Sequence, residues 1–417
     1  MNEKVSRIYL LPFLITLFMT TVAIIQPGYG ATDRTESSIA NQIGFGSAYL
    51  IATAIILLNT HRFRVVLYRA LPFWILVTFV IMSMLWSSFP EKALVSFGHQ
   101  LGMGLVAICT VPYLRNHPVA FARIVLIYVV LYMTVTLAIS ILRPDIGVMA
   151  VSYWSQNSNI RWQGVAGHPN SLGQVCMFGI WVAILPLFIK NRFKYWSVLS
   201  LVGAGLSSFV LYKTNSVTAM IVSAFIFCLF LLYVFYDSER RSTTLLRYLF
   251  LLVVSLFLMI SLYLFFPDIF SIDYLLSRLG RDRGLTGRLS LWDMGVQGFQ
   301  EKPLLGWGFD GLRSFLTQYD MGYGQLHNGY LDILVRGGIV GTTFVFVIIV
   351  QALKNGISFR DRSSDTNLNV VCLIWTLSTM VYSFSESSLA RNSSLVWLLF
   401  LLSYFYLLNA SRVQATS

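Results

Sequence analysis

The feature that most constrains this chain is the repetition of apolar runs about 20 residues long, broken by short polar loops. A helix of that length crosses the hydrocarbon core of a bilayer. Reading the runs this way gives about twelve segments, near 8–27, 41–59, 70–87, 96–114, 119–142, 171–189, 195–212, 217–236, 248–266, 337–353, 368–385 and 395–410. In lipid every backbone polar group needs an internal partner, so such segments are expected to be helical. The fold class that follows is an all-α polytopic membrane protein, one membrane domain over residues 1–417. Composition agrees: 12% of residues are charged and 56% hydrophobic, whereas a soluble domain carries roughly twice that share of charge. Lys4 and Arg7 before the first run and small residues from Gly28 to Ala31 after it have the outline of a signal peptide. The long apolar core of that run favours a retained span.

The basic residues orient the segments. Lys4/Arg7, Arg62/Arg64/Arg69, Arg115/Arg123, Lys190/Arg192/Lys194, Arg240/Arg241/Arg247, Lys354/Arg360/Arg362 and Arg412 fall in alternate loops, while the short loops between hold only Arg34, Lys92, Lys213 and Arg391. By the positive-inside rule the first set is cytoplasmic, with both termini inside. The same spread accounts for much of the net charge of +12 without nucleic acid as a partner. Two longer loops, 143–170 and 267–336, then lie outside. The second carries seven cations against the rule, which points to a function for them. Cys109, Cys176, Cys228 and Cys372 sit within apolar segments without metal spacing and read as buried hydrophobes.

Within 267–336, Leu289, Trp292, Val296 and Phe299 recur at helical spacing, an amphipathic helix suited to a membrane face. Pro303 should stop it, and Gly306-Trp307-Gly308 should turn the chain. Asn328 is placed to cap a helix through Tyr330–Arg336, with His327 at its N-terminus.

Three constellations carry chemistry. Arg161, ahead of Gly167-His168-Pro169-Asn170-Ser171-Leu172-Gly173, is a candidate anion clamp beside a backbone that can approach a ligand closely; the plain alternative is a helix-start turn held by His168 with a snorkelling arginine. Arg278, Arg281, Arg283 and Arg288 present guanidinium forks suited to phosphate oxygens, or simply to lipid headgroups. Arg288 is the best placed, opening the amphipathic helix after a glycine. His327 and His168 are the histidines in outer loops that also hold arginines, and His327 is the candidate proton acceptor. Asp332 lies too far round a helix from His327 to orient it. No paired-acid metal site, phosphate-binding glycine loop or serine nucleophile elbow is present.

The ordered string of Gly167-His168-Pro169-Asn170-Ser171-Leu172-Gly173, Leu285-Thr286-Gly287-Arg288 with Trp292, Pro303-Leu304-Leu305-Gly306-Trp307-Gly308, and His327-Asn328-Gly329-Tyr330-Leu331 before Gly337 and Gly341 resembles the O-antigen ligase and Wzy-type polysaccharide polymerase superfamily. The resemblance covers roughly 161–341, and within the superfamily it is closest to the exopolysaccharide polymerases. It implies a GT-C-like fold of the bacterial inner membrane, with short amphipathic helices in a large periplasmic active-site loop, 267–336, and a second periplasmic loop, 143–170. It implies an inverting glycosyltransferase that needs no metal and no cofactor. The donor would be a glycan on undecaprenyl diphosphate, polymerised onto a second lipid-linked repeat unit as glycan acceptor.

Carried over position by position, Arg161 and Arg288 match arginines that hold the donor diphosphate, and His327 the histidine that activates the acceptor hydroxyl. Arg281 and Arg283 are supporting charges; His168, Asn170 and Asn328 are supporting residues. Membrane lipids, a flippase and a chain-length regulator are the further candidate partners. Other acceptors define a ligase (lipid A-core) or a protein oligosaccharyltransferase. From another class, a transporter or lipid-binding protein would place ionisable groups near the membrane midplane, and here the charges gather at one face.

Overall fold

The structure is a computed structural model that describes residues 7–23, 39–149, 160–185, 194–238, 288–318, 324–358 and 368–410. Among the described residues the regular structure is helical, apart from a two-residue ladder of β1 (Val148–Met149) against β2 (Arg161–Trp162). The longer helices are α1 (Leu11–Thr21), α2 (Ile39–Leu58), α3 (Thr60–Arg69), α4 (Leu71–Met82), α5 (Pro90–Asn116), α6 (Pro118–Leu142), α7 (Pro169–Ile184), α8 (Lys194–Thr214), α9 (Val217–Ser238), α10 (Arg288–Glu301), α11 (Arg313–Gln318), α12 (Gly329–Ser358), α13 (Leu368–Tyr382) and α14 (Leu395–Ala410). Pro12, Pro72, Pro90, Pro118 and Pro169 each stand in a first turn. There the missing N–H costs nothing and the fixed φ favours the start of a helix.

Among the described residues four helices, α2, α5, α6 and α12, are long and apolar enough to cross a membrane, and five if α3 and α4, bent by 79° to each other, form one span. Shorter apolar helices cover most of the other expected segments, which makes this a multi-pass membrane protein. The expected count of about twelve is not reached by these criteria, because α1, α7, α13 and α14 and the apolar stretches of α8 (Val198–Thr214) and α9 (Val217–Leu232) are shorter than a full crossing and the expected span at 248–266 lies outside the described residues. Arg278, Arg281 and Arg283 also lie outside them.

The centre of the bundle is α14, whose side chains are buried all round from Leu395 to Leu408, as expected for a helix that is apolar on every face. It packs against α5, α12 and α13; α7 packs on α8 and α9, and α9 returns to α13. The loop joining α13 to α14, residues 383–394, is thereby surrounded by the ends of these helices. It is buried over most of its length.

The expected amphipathic helix exists as α10. Arg288, Leu291, Gly295 and Gly298 are buried, while Leu289 and Val296 are 42% and 46% exposed. Small residues turn inward because Phe315 and Leu331 pack directly over Gly298 and Gly295, leaving the larger apolar side chains outward. That outward face suits a membrane surface.

After α10 the chain forms the turn expected at Pro303–Gly308, and its purpose is visible in α12. That helix is broken at Gly338 (φ 59°, ψ −161°). The turn is inserted at the break. The N–H groups of Trp307 and Gly308 donate to the carbonyls of Val335 (2.8 Å) and Arg336 (2.9 Å), and the N–H groups of Ile339 and Val340 donate to Pro303 (2.8 Å) and Leu304 (3.2 Å). Thus the polar groups freed by the break are satisfied inside the protein, the condition for irregular backbone in a membrane helix. Glycine is required on both sides. Gly306 and Gly338 have positive φ, and a Cβ on either would run into the other strand of the junction, at Arg336 or Leu304.

Candidate active site

Two turns set the first half of the site. Gly167 (φ 72°) reverses the chain, and His168 caps α7 by accepting from the Asn170 N–H at 3.2 Å. His168 therefore holds the turn and presents Asn170. On β2, Arg161 donates from Nε to the Thr214 carbonyl (2.8 Å) and from Nη2 to Asn170 Oδ1 (2.9 Å) and the Asn215 carbonyl (3.3 Å). Those carbonyls close the C-terminus of α8, the electronegative end of a helix, where a cation is stabilised.

The second half comes from the other side of the chain. His327 has a left-handed backbone (φ 51°), a conformation that costs a residue with a side chain about 1 kcal/mol. It is held there on both sides. The Leu326 N–H donates to Asp332 Oδ1 (3.0 Å), and the Gly329 N–H donates to the Ser383 carbonyl (2.7 Å). Asn328 caps α12 as expected, its Oδ1 accepting from the N–H groups of Tyr330 (3.0 Å) and Leu331 (3.1 Å). Asp332 is a turn-holding residue and does not touch the imidazole through any contact seen here, in line with the sequence reading.

What joins the halves is Glu386, in the 383–394 loop. Its Oε1 accepts from Arg288 Nη2 (2.8 Å) and from Asn170 Nδ2 (2.8 Å), and its Oε2 lies 3.2 Å from His327 Nδ1. Arg288 also donates from Nη1 to the Ser385 carbonyl at 2.5 Å. The Glu386 carboxyl is buried, and burial alone would push its pKa up. The hydrogen bond and charge of His327, followed by those of Arg288, outweigh this and hold it below the ordinary carboxylate value. It is a buried carboxylate, satisfied on both oxygens.

The same loop is anchored from behind. Arg336, buried in α12, donates to the carbonyls of Leu389 (2.8 Å) and Ala390 (3.1 Å), and Gln100 of α5 donates to Ala390 (2.9 Å) while accepting from Trp397 Nε1 (2.8 Å). Arg391 donates to Gln325, whose amide nitrogen lies 3.3 Å from both ring nitrogens of His327.

Four of the residues expected from the sequence, Arg161, Asn170, Arg288 and His327, are thus brought together around one carboxylate, with His168 and Asn328 shaping the turns beneath them. Sequence reasoning missed Glu386, Gln325, Arg336 and Arg391. One signal was there: Glu386 is an acid in a short loop between two apolar segments, on the same expected face as the arginines of the two long loops. No group of three or more His, Cys, Asp or Glu side chains able to hold a metal ion occurs among the described residues.

A family model described as O-antigen ligase matches residues 202–346. The matched segment includes Arg288 and His327; Arg161 and Asn170 precede it and Glu386 follows it. The exopolysaccharide production protein ExoQ of Rhizobium meliloti is 24% identical over 293 residues, covering 66% of this chain and 62% of that protein. An uncharacterized protein of Haemophilus influenzae is 28% identical over 133 residues, covering 28% of this chain and 32% of that protein. The alignments therefore span less than two thirds of either relative's length. Together, the matches to the O-antigen ligase model and to ExoQ support membership of the O-antigen ligase and Wzy-type superfamily for this chain.

Proposed function

We propose that this chain is a membrane glycosyltransferase that polymerises undecaprenyl-diphosphate-linked repeat units into an exopolysaccharide or O-antigen chain. The observation that carries this reading is the Glu386 carboxylate, which ties His327 to Arg288 and, through Asn170, to Arg161. A carboxylate only accepts, so Nδ1 of His327 carries the proton in that contact and Nε2 keeps its lone pair. Nε2 is then the base. As the acceptor hydroxyl oxygen bonds to the anomeric carbon of the donor, its proton passes to Nε2. The bond from that carbon to the diphosphate breaks, and its electron pair leaves with the diphosphate. Attack opposite the leaving group inverts the anomeric centre.

A diphosphate departs readily if its growing charge is met, so fixed cations serve it better than a proton donor. Arg288 directs one N–H to Ser385 and another to Glu386, and a guanidinium has five; the others are available to phosphate oxygens. Arg161 is the second clamp, and Arg281 and Arg283 are supporting charges. A GT-C-like fold, the periplasmic placement of the site, cytoplasmic termini, about twelve crossings and independence from metal belong to the same proposal, supported by the positive-inside distribution and by the gathering of the site at one end of the bundle. The flippase and the chain-length regulator are its proposed partners.

The O-antigen ligase description of the matched family favours a second reading, transfer of the lipid-linked glycan to lipid A-core, whereas the ExoQ relative favours polymerisation. Glycan analysis of a deletion strain beside its parent separates them. Accumulated lipid-linked single repeats with loss of long polymer indicate a polymerase. Long lipid-linked chains that never reach lipid A-core indicate a ligase. Unchanged glycans would sink both and return the transporter reading.

A further inference from the structure

We infer that Gln325, oriented by Arg391, is the residue that positions the acceptor hydroxyl against His327; this rests on the transferase reading above. The loop 383–394 grips the imidazole twice. Glu386 holds Nδ1 directly. Five residues on, Arg391 holds the Gln325 carboxamide, and also reaches the Ser387 carbonyl at 3.4 Å. A guanidinium only donates, so the Gln325 oxygen must face Arg391 and its NH₂ group must face away from it. That NH₂ group lies 3.3 Å from Nδ1 and from Nε2 of His327. The orientation of the amide is therefore set by the chemistry of its neighbour.

An acceptor hydroxyl has to come within about 2.6–3.2 Å of the base that takes its proton. With Nδ1 committed to Glu386, it has to approach Nε2, and the Gln325 NH₂ group lies within 3.3 Å of that nitrogen, as it does of Nδ1. The amide N–H can donate to the incoming hydroxyl oxygen while that hydroxyl donates to Nε2. Gln325 thus covers the imidazole in the resting site and holds the nucleophile in the loaded one. Its neutral side chain suits a sugar hydroxyl, which offers an oxygen and no charge.

The test uses full-length enzyme in lipid nanodiscs with a lipid-linked glycan donor and a glycan acceptor, varying each in turn. Losing one neutral hydrogen bond corresponds to roughly a 5- to 10-fold effect. Gln325→Ala is therefore expected to raise the acceptor KM by about that factor, with donor KM unchanged. Gln325→Glu keeps the shape and the partner for Arg391 but has no N–H to present, and should raise acceptor KM at least as much. Arg391→Ala should act in the same direction and add nothing to Gln325→Ala, as expected of residues acting through one contact, whereas Arg391→Lys should restore most of the loss. A Gln325→Glu enzyme with wild-type acceptor KM, or variants that weaken donor and acceptor alike, would overturn the assignment. If the wild-type enzyme transfers no glycan to any acceptor, it is the transferase reading that fails.

Discussion

The Glu386 cluster and the Pro303–Gly308 junction both draw on the chain's motif string, yet they are held by opposite means. In the cluster, side chains of Asn170, Arg288 and His327 meet on the Glu386 carboxylate, and Arg161 joins them through Asn170. At the junction, backbone meets backbone and the side chains that matter are the absent ones, at Gly306 and Gly338. Motifs that look alike in the sequence therefore do different things. On the proposed reading the histidine and arginine motifs carry reactivity, whereas the glycine motifs carry geometry. The contrast predicts that the first region tolerates substitutions that preserve shape but loses chemistry, whereas the second loses the fold.

The widest separation should come from His327→Ala. Transfer is expected to fall by roughly 10²–10⁴-fold, the usual contribution of a positioned base, with binding of the donor lipid retained in a purified-enzyme assay. Loss of donor binding as well would make His327 a structural residue. Glu386→Gln comes next and probes the orientation of the ring. The amide can donate to Nδ1 and so favour the tautomer that carries its proton on Nε2, with an expected loss of about 10²-fold or more. The same carboxylate sets an acid limb. Its pKa lies below the ordinary glutamate value of 4.5, so its contribution to stability is fully present above that value and is lost as pH falls through the lower folded one. Thermal melts against pH should show that decline in the wild type and not in Glu386→Gln.

At the junction, Gly338→Ala places a methyl group against the Leu304 carbonyl in a backbone of positive φ. The expected cost is about 2–3 kcal/mol of stability, read as a lowered unfolding midpoint in detergent, with activity falling only in step with folded protein. A fully folded Gly338→Ala enzyme with normal stability would show that the two halves of α12 are not locked by this contact. The smallest effect is expected from Asn328→Ala, about 1 kcal/mol for a lost helix cap, with the donor KM unchanged.

The legible part of this molecule was what short-range physics decides. Apolar run length marked the helices, proline marked their starts, and Asn328 was recognisable as a cap because capping needs only the next three residues. The apolar stripe of α10 was legible in the periodicity, but its inward face was not, because tertiary packing of Phe315 and Leu331 reserves that face for glycine. Glu386 stayed hidden for a different reason. It lies 59 residues from His327, 98 from Arg288 and 216 from Asn170, and no local pattern in Ser385-Glu386-Ser387 announces a partner so remote. The role of Pro303–Gly308 was half visible: a turn was expected, but the broken helix that receives it was not.

The break in α12 also bears on how the chain is made. A helix interrupted at Gly338 enters lipid with peptide groups that water can no longer satisfy, and such groups cost several kcal/mol each in hydrocarbon. The segment that satisfies them, Pro303–Gly308, precedes the break in the chain. It has therefore already been synthesised when α12 leaves the ribosome, and the partner is waiting before the need arises. Reversing that order, by circular permutation within the loop ahead of α12, should leave the nascent helix exposed to the membrane with its defect open and make insertion the vulnerable step in biogenesis.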